Sequence, residues 1–233
     1  DYLFESDFQH EVADFTKEDA VEFISELKMP FEIRDYQLEA FVHAIKKQRS
    51  VLVSPTASGK SAIIYLMMRL FYELNRKVLM IVPTVNLVTQ MKQDFEDYAI
   101  NLESLPVQEV YAGKSKEIES PIMLSTWQSL QNLERNFFYN FDTVVVDETH
   151  LATGNTLQKI LNYCVNADFR VGLTGTLTGE KVHEMLLIGS IGEPKKIIST
   201  SELIESRMLS ELRVKCLILN HKLSSLKMNY QEE

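Results

Sequence analysis

The sequence has few cysteines and no long apolar run. Only Cys164 and Cys216 occur among 233 residues, with no CxxC pair and no histidine at zinc-ligand spacing. We therefore expect two buried, reduced thiols and no structural zinc. No apolar run reaches the roughly 18 residues that a membrane span requires, and the first twenty residues are acidic, unlike a signal peptide. These absences exclude secretion and a membrane partner, and they predict a cytoplasmic protein.

The chain also lacks an excess of basic residues, because its formal net charge is −9. Residues 1–40 hold 12 of the 33 acidic residues and 3 of the 24 basic residues, so the rest of the chain is neutral. A neutral body can still bind a phosphate backbone through main-chain amides and a few lysines. We expect an acidic N-terminal linker or helix over residues 1–29 and, since the chain begins at Asp1 without methionine, a piece of a longer protein.

Short apolar runs alternate with helical patterns along a chain that is 45% hydrophobic and 24% charged. Thr16 and Asp19 form a capping-box pattern before a helix that should end near Lys28. Further helices are predicted at Asp35–Lys47, Ser61–Leu74 and Val85–Tyr98, and strands at Val51–Val53, Val78–Val82, Val107–Tyr111, Ile122–Ser125, Thr143–Val146, Arg170–Leu173 and Val214–Leu219. Apolar strands separated by helices predict an α/β fold, a doubly wound, mainly parallel sheet with helices on both faces. Ligands are expected at the carboxyl ends of its strands.

A candidate phosphate-binding loop, Ser54-Pro-Thr-Ala-Ser-Gly-Lys60-Ser61, follows the first of these strands and opens a helix. Backbone N–H groups at a helix N-terminus face an anion, and Gly59 allows close approach. Lys60 adds a charge at the β- and γ-phosphates, while the Ser61 hydroxyl can ligate Mg²⁺. The strict pattern has glycine where Ser54 stands, so an ordinary helix cap remains an alternative for this segment alone.

Two carboxylates end another apolar strand, in the segment Thr143-Val-Val-Val-Asp147-Glu148-Thr149-His150. In a sheet of this type both strand ends can open onto one crevice. Asp147 could then reach the Mg²⁺ shell, while Glu148 orients or deprotonates an attacking water. The alternative is that both carboxylates cap the following helix.

Together with several other segments in the right order, these motifs resemble the first RecA-like domain of a superfamily 2 helicase of the DExH type, a P-loop NTPase. The other segments are Arg34-Asp-Tyr36-Gln37, Pro83-Thr84 with Leu87 and Gln90, Ser125-Thr126-Trp127-Gln128, and Thr174-Gly175-Thr176. The resemblance covers about residues 30–220 and implies a RecA-like domain there, with residues 221–233 starting a connection to a second such domain.

A narrower resemblance is to the UvsW-type helicases of T4-type bacteriophages. It is carried by Thr89-Gln-Met with Asp94-Phe95 and Asp97-Tyr98, by Thr126-Trp-Gln, by His150-Leu-Ala-Thr-Gly154 and by Tyr230-Gln-Glu-Glu233. It implies action on branched DNA and on RNA–DNA hybrids in recombination and replication, in the cytoplasm of the host cell. The expected partners are DNA (branched, duplex or single-stranded), RNA–DNA hybrids and the second RecA-like domain, which supplies arginine fingers; we expect a monomer.

The family resemblance also assigns ATP and Mg²⁺ as cofactors and gives each motif a role. The implied catalytic residues are Lys60, Asp147, Glu148 and His150; the nucleotide-binding residues are Arg34, Gln37, Thr56, Ala57, Ser58, Gly59, Lys60 and Ser61; the Mg²⁺ ligands are Ser61 and Asp147; the nucleic-acid contacts are Pro83, Thr84, Thr126 and Gln128; and the coupling residues are Thr174, Gly175 and Thr176. Gln37 would read adenine, and His150 would link the nucleotide site to Thr174.

Other functions stay open at this point. The same fold serves as the motor of restriction enzymes, which would also need a nuclease domain. A nucleotide-dependent binding module that never hydrolyses is a second alternative, because no arginine finger is visible. A metabolic P-loop kinase is a third, weakened by the Asp147-Glu148-Thr149-His150 signature. Lys114 and Lys116 lie in a charged loop over residues 113–120 and either contact phosphates or are simply solvated.

Overall fold

Seven parallel strands form one sheet in the computed structural model, which describes residues 14–177, 180–210 and 215–216, without the side chains of residues 152 and 153. The strands are β1 (Arg49–Val53), β2 (Val78–Val82), β3 (Val107–Val110), β4 (Ile122–Thr126), β5 (Thr143–Val146), β6 (Phe169–Thr174) and β7 (Glu193–Lys196). Their order across the sheet is β3-β4-β2-β5-β6-β1-β7, and every pair is parallel. The predicted doubly wound parallel sheet is confirmed.

Helices connect these strands and cover both faces of the sheet. They are α1 (Lys17–Glu26), α2 (Asp35–Lys47), α3 (Lys60–Glu73), α4 (Val85–Tyr98), α5 (Trp127–Leu130), α6 (Asn155–Tyr163), α7 (Lys181–Ser190) and α8 (Thr200–Glu205), with 3₁₀ turns at Arg135–Asn140 and Thr149–Thr153. The capping box of α1 is confirmed, because Asp19 N–H donates to Thr16 Oγ1 at 3.1 Å and Thr16 N–H donates to Asp19 Oδ2 at 2.7 Å. In the described part of the chain, no helix is long and apolar enough to cross a bilayer.

The sheet separates two hydrophobic cores. Successive residues of β2 alternate between them, with Val78, Met80 and Val82 facing one core and Leu79 and Ile81 the other. This alternation follows from the two-residue period of a strand, and because both sides are covered, all five positions are buried. Helices α1 to α4 pack on the first core and α6 and α7 on the second.

The acidic N-terminal region contributes a helix to the first core. Phe23 of α1 stacks on Phe41 of α2 with ring centroids 5.9 Å apart, and Ala20 and Leu27 are buried beside them. The acidic residues of α1 therefore lie on its outer face, while its apolar residues share the core of the sheet.

Strand β7 differs from the sequence-based expectation. Its residues, Glu-Pro-Lys-Lys, are polar and contain a proline, so the pattern gives no strand signal. It forms because Ser50 to Val53 of β1 pair with Glu193 to Lys196, at the edge of the sheet, where a proline is tolerated. The predicted strand at Val214–Leu219 lies outside the described residues, apart from Lys215 and Cys216, which have no regular secondary structure.

The two cysteines differ in their surroundings. Cys164 is buried as expected, and burial raises the pKa of its thiol to about 12, so it stays protonated at neutral pH. Cys216 is exposed, so the expectation that both thiols are buried is wrong.

An arginine at the amino end of β6 binds the ends of two helices. The Arg170 guanidinium donates hydrogen bonds to the backbone carbonyls of Leu161 and Cys164 at the end of α6, of Ala167, and of Ser190 at the end of α7. The last carbonyls of a helix have no hydrogen-bond donor within the helix. The Arg170 side chain supplies donors to such carbonyls at the ends of both helices.

Arg170→Ala should lower the free energy of unfolding by about 3 kcal/mol, because several partly buried carbonyls lose a charged donor. Urea unfolding followed by circular dichroism measures this change. Lys116→Ala, in an exposed loop, is the control and should stay within about 0.5 kcal/mol of the parent chain. A change of that small size in Arg170→Ala would show that the carbonyls find other donors.

Candidate active site

The candidate site begins at the loop between β1 and α3. Within it Ala57 and Gly59 have left-handed backbone conformations, with φ of +67° and +78°. Such an arrangement turns successive N–H groups towards one point and forms an anion-binding concavity. For Ala57 this conformation is strained, and strain of this kind is typical of functional loops.

Ser54 occupies the position at which the strict phosphate-loop pattern has glycine. Its side chain is fully buried, and its hydroxyl donates to the Ser58 hydroxyl at 2.7 Å, across the loop. Its backbone N–H donates to Thr174 O at 2.9 Å. The serine side chain thus has a place inside the loop, where its hydroxyl bonds to the opposite side.

Gln37 supports this loop from α2. Its Nε2 donates to Ser58 O at 3.0 Å and to Gly59 O at 3.3 Å, while its Oε1 accepts from Arg34 N–H at 3.0 Å. The Tyr36 hydroxyl donates to Ser58 O at 2.8 Å and accepts from the Arg34 guanidinium at 2.7 Å. Both ends of the Gln37 amide are therefore bonded to backbone, a structural role that the sequence did not indicate. Adenine recognition by Gln37 stays a prediction.

Glu148 connects the loop to the opposite side of the site. Its Oε1 lies 3.3 Å from Lys60 Nζ, and its Oε2 lies 3.2 Å from His150 Nδ1. His150 Nδ1 is also 3.0 Å from Thr174 Oγ1. The expected link between His150 and Thr174 is thus confirmed as a contact, and the carboxylate of Glu148 is fixed at both oxygens.

The coupling segment lies directly against the loop. Thr174 Oγ1 donates to Thr176 O at 2.8 Å, and a Cβ built on Gly175 would be 3.8 Å from both Lys60 Nζ and Thr56 N. The structure therefore brings these residues together with the catalytic candidates, although their role in coupling stays a prediction.

Asp147 gives the site an excess of negative charge. It is only 9% exposed, and burial, together with the neighbouring Glu148 carboxylate, raises its pKa in spite of the positive charge of Lys60. Its Oδ1 accepts from Glu148 N–H at 3.0 Å. Two adjacent carboxylates and one lysine leave an uncompensated negative charge, which a cation would neutralise. The oxygen atoms of Asp147 and Ser61 fit a Mg²⁺ ion, because Mg²⁺ prefers oxygen ligands.

A cavity of about 330 Å³ opens in front of these groups. This volume lies in the usual range for small-molecule sites. The loop residues, Asp147 and Glu148 line one side, and α4 lines the other with Leu87, Gln90, Met91 and Asp94. The sequence analysis did not assign these residues of α4 to the site. Their signal is the helical spacing of Leu87, Met91 and Asp94, which places them on one face of the helix.

The predicted nucleic-acid contacts lie at the carboxyl ends of two neighbouring strands. Pro83 and Thr84 follow β2, whereas Thr126 ends β4, and Val82 pairs with Thr126. Thr84 and Gln128 are exposed, but Thr126 is only 3% exposed and its hydroxyl bonds to Ser129 at 2.9 Å. The four residues thus share one edge of the sheet, and their contact with nucleic acid stays a prediction. Trp127 is half-buried against the second core.

Comparison with known proteins gives a family match over residues 30–179, to the family described as "Type III restriction enzyme, res subunit". The chain belongs to this family. It is 32% identical over 222 residues to the ATP-dependent DNA helicase UvsW of Enterobacteria phage T4. It is 24% identical over 197 residues to the DNA 3'-5' translocase XPB2 of Sulfurisphaera tokodaii. These alignments cover 91% and 83% of the chain.

Solved structures agree with this family membership. A crystal structure of the UvsW helicase from bacteriophage T4 matches with a TM-score of 0.72 at 32% identity, over 78% of this chain and 68% of that one. The SWI2/SNF2 ATPase core of Sulfolobus solfataricus matches in fold, with a TM-score of 0.60 at 17% identity, over 70% of this chain and 36% of that one. The chain is thus a RecA-like motor domain of a DExH-type superfamily 2 helicase, and the family implies use of ATP. It spans less than half the length of the curated relatives it matches, 44% of UvsW and 42% of XPB2.

Gly59→Ala should weaken binding of ADP at least about tenfold, because a Cβ there would lie 2.4 Å from Gln37 Nε2 and the backbone φ of +78° is unfavourable for alanine. Titration with a fluorescent ADP analogue gives the affinity. Gly113→Ala is the matched control, since Gly113 also has a positive φ, of +89°, but a Cβ there would meet nothing within 4 Å. Equal loss of affinity in both variants would argue for a general effect on folding.

Proposed function

We propose that the chain is the ATP-binding motor of a helicase or translocase that moves on DNA, including branched DNA and RNA–DNA hybrids, in recombination and replication. The observation that carries the proposal is the connected cluster of Lys60, Glu148, His150 and Thr174. Lys60 and Glu148 of this cluster line the cavity. A cluster that joins a phosphate loop, a carboxylate pair and the end of a third strand is what phosphoryl transfer requires, because that reaction depends mainly on positioning and charge.

In this proposal each group has a distinct task. The backbone N–H groups of the loop and the Lys60 ammonium hold the phosphates, and Ser61 with Asp147 would hold Mg²⁺. Bound Mg²⁺ would supply neutralisation of the negative charge on the phosphate oxygens. Glu148 accepts the proton of the attacking water, and its contacts with Lys60 and His150 keep its carboxylate aimed at the cavity. When Glu148 moves, its contact with His150 and the contact of His150 with Thr174 transmit that movement to the segment that follows β6.

The proposed domain arrangement places the RecA-like domain over residues 30–220, after an acidic segment over residues 1–29. Residues 221–233 would begin a connection to a second RecA-like domain, and the greater length of the relatives supports such a partner. The likeness to a phage helicase supports the cytoplasm of the host cell as the place of action.

A second candidate is the motor of a restriction-type translocase, since the description of the matched family names a restriction enzyme. The printed names of the relatives, a helicase and a translocase, favour the first candidate. DNA cleavage by the intact protein would favour the second one.

Lys60→Ala tests the nucleotide site directly. It should weaken binding of ATP and ADP by about tenfold or more without unfolding the chain, because a lysine that faces a cavity contributes a charged contact to phosphate and little to the core. Isothermal titration calorimetry measures the affinity and circular dichroism the fold. Lys77→Ala, an exposed lysine at the amino edge of the sheet, should bind as the parent does. Equal affinity in Lys60→Ala and Lys77→Ala would contradict the phosphate-loop assignment.

The chain by itself should hydrolyse ATP at a barely detectable rate, and DNA should not restore it. The described residues that line the cavity include no arginine. An arginine that neutralises charge on the γ-phosphate contributes on the order of 10³ or more in rate at related sites. Steady-state phosphate release with saturating DNA measures this. Robust turnover that disappears in Lys60→Ala would show that the chain has all the catalytic groups it needs.

A further inference from the structure

The hydroxyl of Ser61, the predicted Mg²⁺ ligand of the loop, is bonded to a tyrosine from another helix. Ser61 Oγ lies 2.8 Å from the hydroxyl of Tyr98. Ser61 belongs to the first turn of α3, and Tyr98 is the last residue of α4. The phosphate-loop motif does not call for this contact, and it joins the two helices at the edge of the cavity.

The Tyr98 ring is held in place by two other aromatic rings. It packs edge-to-face against Tyr65, with centroids 5.5 Å apart, and against Phe31, with centroids 4.9 Å apart. These contacts fix the plane of the ring and hence the position of its hydroxyl. The tyrosine is therefore a rigid partner for a serine side chain that would otherwise turn among three rotamers.

The chemistry of a metal-bound hydroxyl explains why such a partner matters. A serine oxygen that gives a lone pair to a cation keeps its proton, and the proton then needs an acceptor. Two acceptors on α4 can take this proton: the oxygen of the Tyr98 hydroxyl, 2.8 Å from Ser61 Oγ, and the carboxylate of Asp94, which also bonds to the Ser61 side chain. With the proton directed to one of these two groups of α4, a lone pair of Ser61 remains available to the cavity that Ser61 lines together with Asp147.

We propose that Tyr98 is a positioning residue that holds the Ser61 hydroxyl in the orientation in which it ligates the Mg²⁺ ion of a bound nucleotide. This inference rests on the proposed function, because it requires a Mg-nucleotide in the cavity. It also gives α4 a second task. The helix has 14 residues and begins directly after Thr84, so it connects the predicted nucleic-acid edge at one end with the Mg²⁺ ligand at the other.

Tyr98→Phe is the test, because it removes the hydroxyl and keeps the ring and its aromatic contacts. Calorimetry gives the ADP affinity of the chain with Mg²⁺ and with EDTA, and the ratio of the two is the gain due to Mg²⁺. The ratio should fall about threefold to tenfold in Tyr98→Phe, the usual effect of one lost hydrogen bond, while the affinity in EDTA stays that of the parent. Tyr72→Phe, an exposed tyrosine on α3, is the matched control and should keep the parent ratio.

A double-mutant cycle shows whether the effect acts through the serine. In a Ser61→Ala background, Tyr98→Phe should lower the ratio no further, because the hydroxyl that it positions is gone. An additional loss in that background would overturn the proposal, as would an unchanged or higher ratio in Tyr98→Phe, or an equal loss of affinity with Mg²⁺ and EDTA. If the parent chain gains nothing from Mg²⁺ and Lys60→Ala binds equally well, the proposed function itself fails, and this inference fails with it.

Discussion

All seven strands of the sheet point in one direction, and the positions of most candidate functional residues depend on this constraint. In a parallel sheet the strand ends of one kind collect at a single edge. The ends of β1, β5 and β6, which are neighbours, bring together the phosphate loop, the carboxylate pair and the segment from Thr174 to Thr176. The ends of β2 and β4 form the adjacent half of the same edge. The phosphate loop and the predicted nucleic-acid contacts thus lie side by side on one edge of the sheet.

Two of the six described non-glycine residues with a positive φ lie where these segments meet. Ala57 and Glu148 both have left-handed conformations, with φ of +67° and +53°. Such conformations persist only where surrounding contacts hold them. For Glu148 the next residue supplies those contacts, because Thr149 is fully buried and its hydroxyl donates to Leu173 O at 3.0 Å. A Cβ on Gly172 would lie 2.4 Å from Thr149 Cγ2, so a glycine in the middle of β6 is what allows Thr149 to pack so closely.

Most of the fold follows from the sequence, because strands buried on both faces give continuous apolar runs and amphipathic helices give a clear period. Strand β7 does not, since Glu193 to Lys196 form a strand through pairing with β1 and not through their own propensity.

The sequence also predicted the cluster around Lys60 and Glu148, because motif spacing reports which strand ends carry chemistry. It did not predict the part of the site that α4 forms. Gln90 and Asp94 reach the cavity through the packing of two helices, which no local pattern describes. The backbone contacts of the Gln37 amide escaped prediction for the same reason, since they depend on how α2 lies against the loop.

The hydrogen bonds of Arg170 have a mechanical consequence for the opposite edge of the sheet. Helix α6 follows the turn that contains His150, and α7 follows the segment that contains Thr174. Both helices end on the same guanidinium group. Neither helix can slide along its axis without breaking its hydrogen bonds to this group. If one helix moved the guanidinium group, the hydrogen bonds of the other helix would also be stretched. The far ends of α6 and α7 are therefore joined through one side chain, whereas their beginnings, which follow the His150 turn and the Thr174 segment, have no bond to it.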